Sequence, residues 1–412
     1  MAPRVPTPRR WIAGATLGLA IAASIASGCG SSDSSSGGSS DSGDTGDITI
    51  GAPIALTSDL SSYDIPALEG AKLAAEEINA RGGLLGGRRL KFVTSDTGGN
   101  PAQGQTAALE VIDKGAQFLM TSLDYDKGSP AARTAESRGL VSLSMAGDPR
   151  YGAKGIGRHF FNVFSGGTTE GAAAAQFAHD EGWKRVYLLE DVSINYGKTF
   201  CRYFDESFRR LADGATIVGR DTFQNTDKSV STQVARLRAA GDVDAVVLCS
   251  YPPGGATALK QIRGGGIDVP VLGGVPFDGN FWIAGVPDER NFYALATGLV
   301  DGRDPDPQRR RVLAAYARAT GRPAPAGLAP LTGYSIVQAL GEAIERAGST
   351  DGDAVAAALE TFRDQPLAIG PTTWTPECHI AVGRPFVITK LVDGTLEYVG
   401  EAKPEWVPPA LC

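Results

Sequence analysis

Cys29 is the residue whose type and surroundings point most directly to a chemical modification. Basic residues come first in the chain, an apolar stretch covers 11–25, and the small residues 26–28 stand directly before the cysteine. This order is typical of a secretory signal peptide. A cysteine after the small residues looks like a bacterial lipobox, in which the thiol carries lipid and the cysteine becomes the new N-terminus. We therefore expect 1–28 to be a signal peptide and Cys29 to be lipidated, which would anchor an exported protein on the outer face of the cytoplasmic membrane.

Details of the export signal leave alternatives open. The residue three positions before the cysteine is Ala26, where a lipobox usually has leucine, and Ile25 lies one step earlier. The adjacent pair Arg9 and Arg10 is compatible with the twin-arginine export route as well as with the general secretory route. An ordinary signal peptide and a transmembrane helix are the other interpretations, although a membrane span needs about 20 apolar residues, more than this stretch contains.

Four further cysteines are available for disulfide chemistry after export: Cys201, Cys249, Cys378 and Cys412. Four thiols in an oxidising compartment can form two disulfide bonds, with three possible connectivities. We favour the pair Cys378 and Cys412, because this bond would fasten the C-terminal tail. Cys201 and Cys249 would then form a second disulfide or remain buried thiols, with a reactive pair as the alternative.

Histidines and glycine-rich segments show no catalytic or nucleotide-binding pattern. His159, His179 and His379 are scattered, without the spacing of metal ligands. The glycine runs at 82–83 and 264–266 fit neither a dinucleotide-binding fingerprint nor a Walker loop. They are typical of turns that follow helices. The sequence also contains no Gly-x-Ser-x-Gly elbow. We therefore predict a protein that is not an enzyme and needs neither a cofactor nor a metal.

Length and charge limit the classes of protein. Removing 28 of the 412 residues with the signal peptide leaves 384, more than one hydrophobic core usually holds, so two domains are expected. The formal charge of the whole chain is −7, and without the three arginines of the signal peptide it becomes −10. An acidic chain without a long basic block is a poor nucleic-acid binder. The segment 29–46 is, after its cysteine, nearly all Ser, Gly and Asp, and we expect a flexible tether.

Strand and helix patterns alternate along the rest of the chain. In the first half we predict strands at 48–50, 92–94, 118–121 and 141–144, and helices at 66–80, 102–114 and 130–138. The pattern restarts with strands at 186–190, 216–219, 245–249 and 269–273, and helices at 169–180, 197–211, 230–240 and 255–263. Helices at 307–320, 332–347 and 353–362 and an antiparallel pair at 386–391 and 397–399 follow. Such alternation is typical of parallel sheets covered on both faces, so we predict an α/β fold with two units.

Several short motifs occur in order along the chain: Gly51-Ala52-Pro53, Glu69-Gly70-Ala71, 78–87 followed by Leu90 and Asp96, Asn195-Tyr196-Gly197, and Ile369-Gly370-Pro371 with Trp374. In this order and spacing, from about Asp47 to Val399, the chain resembles periplasmic binding proteins of the branched-chain amino acid (Leu/Ile/Val) type. The resemblance implies the type I arrangement, in which two doubly wound parallel-sheet lobes are joined by three crossovers. Lobe 1 would contain 47–164 plus 299–371, and lobe 2 would contain 165–298 plus 372–412.

The resemblance also implies which residues line the cleft between the lobes. Tyr63 lies in the first strand-to-helix loop, Tyr196 follows a strand of the second lobe, and Tyr251 follows the strand at 245–249, each matching a tyrosine of the family. These three would stack on the ligand and close over it. Asp278 falls near the position at which the family has an acid that holds the ligand ammonium, although an Asp before a glycine also fits a plain turn.

Two loops of the first lobe depart from the family pattern. In the first loop Tyr125 replaces a serine of the family, and in the second loop, which contains Ala146, Asp148 stands where threonine is usual. A ligand carboxylate beside Asp148 would meet like-charge repulsion, which Lys127 and a helix N-terminus near Pro130 would partly offset. Either these acids point away from the cleft or the ligand is not a plain α-amino acid. A ligand with hydroxyl, amide or cationic groups, or an aromatic body stacked on the tyrosines, would fit.

The resemblance as a whole implies a solute-binding lipoprotein outside the cytoplasm. It would capture a small polar molecule, such as an amino acid or amide, and deliver it to the permease of an ABC importer. We expect a monomer, because the cleft lies within one chain. A receptor of the same fold that signals ligand occupancy to a membrane partner is the alternative, and an exported enzyme would need a catalytic constellation that the sequence lacks.

Overall fold

The structure, a computed structural model, describes residues 46–211, 214–286, 289–322, 325–409 and 412. The predicted signal peptide, the lipidation site Cys29 and the tether up to residue 45 lie outside the described residues. Within the described ranges, no helix combines the length and the apolar character that a membrane crossing requires.

Five parallel strands form the first sheet: β1 Ile48–Ile54, β2 Leu90–Asp96, β3 Phe118–Met120, β4 Ser142–Ser144 and β5 Phe160–Asn162. Their order across the sheet is β2-β1-β3-β4-β5. The connecting helices are α1 Ser61–Ala80, α2 Pro101–Asp113 and α3 Tyr125–Glu136. All seven residues of β1 are buried, because this strand has a neighbour on each side and cover on both faces. Strand β5 was not predicted, since three residues are too few for a periodic pattern.

The second half of the chain supplies helices and strands of a larger sheet. Its helices are α4 Gly166–Asp180, α5 Asn195–Leu211, α6 Ser231–Ala239 and α7 Gly254–Gly264. Its parallel strands are β6 Arg185–Asp191, β7 Thr216–Phe223, β8 Ala245–Cys249, β9 Val271–Gly273 and β10 Phe292–Ala296. Strand β10 is a second element that sequence patterns did not predict.

The C-terminal part contributes to both halves. Helices α8 Pro307–Thr320, α9 Ala329–Ala347 and α10 Gly352–Leu359 come first, followed by a small antiparallel pair, β11 Gln365–Leu367 and β12 Gly370–Thr372. The hairpin β13 Phe386–Val392 and β14 Thr395–Ala402 then completes the second sheet in the order β14-β13-β10-β9-β8-β6-β7. Its turn residues Asp393 and Gly394 have φ of 47° and 77°, as a two-residue turn of type I′ requires.

Each sheet has its own hydrophobic core. One core joins residues of β1, β3 and β4 to apolar faces of α1, α9 and α10, and the second sheet is covered by two further clusters. The division of the chain into two lobes with the predicted bounds stays a prediction. The residues at which the chain crosses from one lobe to the other stay a prediction.

Helices α1 and α3 each begin five residues earlier than the sequence patterns predicted. Helix α1 begins at Ser61, with Pro66 inside it, and α3 begins at Tyr125. In the first case the Asp64 carboxylate accepts hydrogen bonds from two distant backbone N–H groups, which fixes the first turn against neighbouring loops. In the second case Asp124 caps the helix by accepting from the N–H of Lys127 at 3.0 Å. Tyr63 and Tyr125 therefore lie in first helical turns, so their predicted placement in loops was wrong.

Two disulfide bonds link the four cysteines of the described part of the chain. One joins Cys201 of α5 to Cys249 of β8, both fully buried in the core of the second sheet. The other joins Cys378 to Cys412, the pairing that the sequence favoured. The second bond attaches the C-terminal residue to the segment that precedes β13, as expected for a fastened tail.

Candidate functional site

A small cavity lies between the loops and helix ends of the two sheets. Its volume is about 90 Å³, several times the roughly 10–15 Å³ that one water molecule needs. Every binding residue predicted from the sequence borders it: Tyr63, Tyr125, Ala146, Asp148, Tyr196, Tyr251 and Asp278. The structure thus brings together side chains that are as far apart as 215 positions in the sequence, from Tyr63 to Asp278. Their contact with a ligand stays a prediction.

Two of the tyrosines reach across the cavity from one half of the molecule to the other. Tyr63, in α1, donates a hydrogen bond to the carbonyl oxygen of Pro276 at 3.3 Å. Tyr251, after β8, donates to the Asp59 carboxylate at 3.2 Å. The ring of Tyr63 also meets the edge of Phe281, with the ring centroids 5.4 Å apart. These contacts connect the rims of the cavity and hold the two rings at its edge.

Tyr196 is held by a buried carboxylate that the sequence analysis did not identify. Its hydroxyl donates to Glu170 Oε1 at 2.8 Å, and the same oxygen accepts the N–H of Val275 at 2.8 Å. Glu170 is fully buried, and its other oxygen, Oε2, has no hydrogen-bond partner among the described residues. Burial raises the pKa of Glu170 to about 7. The signal in the sequence was an acid within the run of small residues 166–175 at the start of α4.

Asp148 is neutralised by a neighbour on its own loop. Arg150 donates from Nε and Nη2 to the two carboxylate oxygens of Asp148, at 2.9 and 2.6 Å. This bidentate hydrogen bond is the main cause of a raised pKa for Arg150. The guanidinium also lies 4.3 Å from the ring centroid of Tyr125. The structure gives Arg150 the charge-balancing role beside Asp148 that the sequence analysis assigned to Lys127.

Three more carboxyl groups border the cavity, and burial is the first cause of a raised pKa in each. The pKa of Asp64 is raised to about 6, and those of Asp124 and Asp278 to about 7. The negative charge of Asp126 adds to the effect at Asp124, and that of Glu170 adds to it at Asp278. No lysine, arginine or histidine is among the described residues that border the cavity. The cavity is therefore acidic.

A contact between α3 and α5 joins the two halves beside the cavity. The Asp126 carboxylate accepts the backbone N–H of Asn195 at 2.6 Å and the side-chain amide of Asn195 at 2.5 Å. Hydrogen bonds to an ionised group are stronger than neutral ones. This pair is therefore a direct link between α3, which packs on the first sheet, and α5, which packs on the second.

Comparison with known proteins decides the family. A family model described as periplasmic binding protein matches residues 47–395, which include elements of both sheets. The chain belongs to the periplasmic binding protein family. The resemblance predicted from the motifs is confirmed, and so is the absence of an enzymatic role, because the family consists of binding proteins. Membership also places the protein outside the cytoplasm.

Relatives with known names support the same assignment. The chain is 28% identical to the Leu/Ile/Val-binding protein BraC3 of Rhizobium johnstonii over 332 residues, which cover 80% of this chain and 87% of that protein. It is also 28% identical to the Leu/Ile/Val-binding protein homolog 3 of Brucella melitensis over 354 residues, covering 85% and 93% of the two chains.

Solved structures establish the fold. The branched-chain amino acid transporter substrate binding protein LivJ from Streptococcus pneumoniae, in complex with isoleucine, has a TM-score of 0.77 at 21% identity and covers 87% of this chain and 100% of its own. An ABC transporter solute binding protein from R. palustris, in complex with benzoate, has a TM-score of 0.76 at 16% identity, covering 89% and 99%. The type I fold predicted from the resemblance is thus confirmed.

Proposed function

We propose that this periplasmic binding protein is a lipoprotein that captures a small polar molecule between its lobes and hands it to an ABC importer. The observation that carries the proposal is the cavity between the two sheets, bordered by four tyrosines and closed by hydrogen bonds between the halves. Ligands of α/β proteins bind where loops follow the carboxyl ends of strands, and loops of this kind border the cavity. The named relatives bind leucine, isoleucine and valine, which makes an amino acid, an amide or a related molecule the first class to test.

Membrane attachment through Cys29 would place this binding protein close to its importer. The tether of 17 residues after the cysteine would have an end-to-end distance of roughly 20–25 Å if it behaves as a flexible chain rich in glycine and serine. Such a reach lets the folded part turn and meet a permease in the same membrane. A monomer is sufficient, because one chain supplies the residues on both sides of the cavity.

The first experiment looks for the captured molecule directly. We expect native mass spectrometry of the purified, folded protein to show a mass excess that disappears on denaturation, since a cavity enclosed between hinged lobes releases its ligand slowly. The released molecule is then identified by its mass. A protein that carries no such mass and whose melting temperature responds to none of a broad set of amino acids, amides and amines would contradict the proposal.

Deletion of the gene distinguishes a role in transport from a role in sensing, because the two roles predict different losses in the cell. Deleting the gene is expected to abolish uptake of the identified molecule, measured with an isotope-labelled sample, because an importer of this kind depends on its binding protein. Unchanged uptake together with loss of a transcriptional response to that molecule would instead establish the receptor.

The contact between Asp126 and Asn195 provides a test of lobe closure. We expect Asp126→Ala to open the protein and to weaken ligand binding about tenfold, because the closed form loses two charge-assisted hydrogen bonds. Small-angle X-ray scattering should show a larger radius of gyration than that of the wild type. Asp113→Ala, which removes an exposed acid at the end of α2, is the matched control and should change neither quantity. Equal scattering curves for Asp126→Ala and the wild type would show that this contact does not hold the lobes.

A further inference from the structure

Three backbone donors of the loops around the cavity are already bonded to side chains of the protein. The N–H of Leu123 donates to Asp64 at 2.9 Å, and the N–H of Lys127, in the first turn of α3, donates to Asp124 at 3.0 Å. The start of a helix is the usual backbone site for an anion, and here an internal carboxylate fills it. In the second loop, the N–H of Ala146 donates to the side chain of Asn162 at 3.3 Å.

The nearest guanidinium is occupied as well. Arg150 uses Nε and Nη2 for Asp148, and it is not among the residues that border the cavity. The described residues that do border it include four aspartates and no basic side chain. Asp148 is balanced by Arg150, whereas the other three aspartates have no basic residue beside them among the described residues that border the cavity. A carboxylate brought into this space would add to their negative charge, and a positive group would be attracted and would favour their ionised forms.

Glu170 provides independent support for a positive ligand. Its Oε2 is buried and has no partner among the described residues, although a buried carboxylate oxygen is normally hydrogen-bonded. A Cβ placed on Gly147 would lie 3.7 Å from this oxygen, and Gly147 borders the cavity. The Tyr196 ring lies closer to the same position, with Cδ2 at 3.2 Å, and Glu170 itself does not border the cavity. Oε2 therefore lies behind a wall formed by Gly147 and the Tyr196 ring, where a ligand ammonium would reach it once that ring shifts.

The aromatic rings fit the same class of ligand. Tyr63, Tyr196 and Tyr251 border the cavity, and the face of a tyrosine ring attracts a cation within about 6 Å of its centre. A ring also packs against the apolar body of a ligand, so the tyrosines would contribute to both parts of an organic amine.

Resting on the proposed function, we infer that the cavity takes an organic amine that carries no free carboxylate, and that Glu170 accepts a hydrogen bond from its ammonium group. The ligand then supplies the donor that Oε2 lacks, and its charge is balanced by the acids at the cavity wall. Amino acids with a free α-carboxylate are disfavoured, because three backbone donors of these loops are bonded within the protein and no basic side chain is among the described residues that border the cavity.

A matched set of compounds distinguishes the contribution of the ammonium group to binding from that of the carboxylate. Isothermal titration calorimetry at pH 7.5 would compare L-leucine, L-leucinamide and 3-methylbutylamine, which share one side chain, and add ethanolamine and tyramine for other sizes. We expect at least one carboxylate-free amine to bind at least tenfold more tightly than L-leucine. Tighter binding of L-leucine than of all four amines, or no binding by any amine, would overturn the inference.

The identity of the molecule that remains bound during purification distinguishes a failure of this inference from a failure of the proposed function. An amine without a carboxylate, released from the purified protein, supports both. A released carboxylic or amino acid overturns the inference and leaves the capture function standing. A protein that carries no molecule and binds no compound counts against the function itself.

The role of Glu170 is tested by measuring the protons released on ligand binding and the pH dependence of the affinity. Its pKa of about 7 means that much of the carboxyl is protonated below pH 7 and must lose the proton before it can accept a bond from a cation. Amine binding should therefore release protons at pH 6.5, seen as a dependence of the calorimetric heat on the ionisation enthalpy of the buffer. Asp124 and Asp278, whose pKa values are also raised to about 7, would contribute to this release, so the share of Glu170 is the difference between the wild type and a variant without its charge. The affinity for 3-methylbutylamine, whose ammonium group stays protonated in this range, should rise as the pH increases from 5.5 to 8.

Glu170→Gln keeps an oxygen for Tyr196 and Val275 but removes the charge. We expect an affinity for the amine at least tenfold lower and a smaller proton release, while circular dichroism confirms the fold. Asp113→Asn, an exposed acid outside the cavity, should behave as the wild type. Equal amine affinity and equal proton release in Glu170→Gln and the wild type would overturn the assignment of this residue.

Discussion

Gly333→Ala is expected to lower the free energy of unfolding by at least about 2–3 kcal/mol, because α1 and α9 leave no room for a side chain where they cross. A Cβ at Gly333 would lie 1.7 Å from the carbonyl oxygen of Ala67, and a Cβ at Gly70 would lie 2.1 Å from that of Pro330. Both obstacles are backbone atoms, which cannot turn away as a side chain can. The two helices must separate, and the core of the first sheet separates with them.

Urea denaturation followed by circular dichroism measures this change. The matched control is Gly264→Ala in α7, where an added Cβ meets no atom within 4 Å and the backbone is helical. Alanine has the better helix propensity, so the control should be neutral or more stable by up to about 1 kcal/mol. Equal stability of Gly333→Ala and the wild type would show that the helices do not cross this closely in solution.

Arg384→Met is expected to lower the free energy of unfolding by about 2–4 kcal/mol, because three hydrogen-bond acceptors are left without the guanidinium that donates to all of them. The buried guanidinium donates to the carbonyl oxygens of Val163 and Pro371, both at 3.1 Å, and to the Thr372 hydroxyl at 2.7 Å. Val163 precedes α4, and the other two acceptors lie in β12, so one side chain joins two segments close to the predicted crossovers. Burial lowers the pKa of Arg384 to about 9, which leaves it charged at neutral pH.

Thermal and urea denaturation of Arg384→Met, measured with Arg384→Lys and Arg318→Met, separate the hydrogen bonds from the charge. Lysine keeps the charge but cannot reproduce the planar set of donors, so Arg384→Lys should also be destabilised. Arg318 is exposed on α8, and its replacement should be nearly neutral. A stable Arg384→Lys variant would show that the charge matters and the three-way contact does not.

The alternating strands and helices could be predicted from the sequence, because buried parallel strands appear in it as continuous apolar runs. The strand at 245–249 and the helix at 307–320 were predicted with the bounds that the structure has. The short strands β5 and β10 were missed, since their hydrogen-bonding partners, and not their own patterns, make them strands. The early starts of α1 and α3 depend on Asp64 and Asp124; the Asp124 cap was visible as a local signal, whereas the partners of Asp64 are not local.

The sequence by itself determined the family, most of the alternating strands and helices, and seven of the residues that border the cavity, because these follow from local patterns and from motifs in a fixed order. Only the tertiary structure decided how the charges are shared. Arg150 neutralises Asp148, and Glu170 lies behind the cavity wall with one oxygen unpartnered. The physical reason is that hydrogen bonding and burial depend on distances of a few ångströms between side chains, and composition and spacing along the chain do not fix those distances.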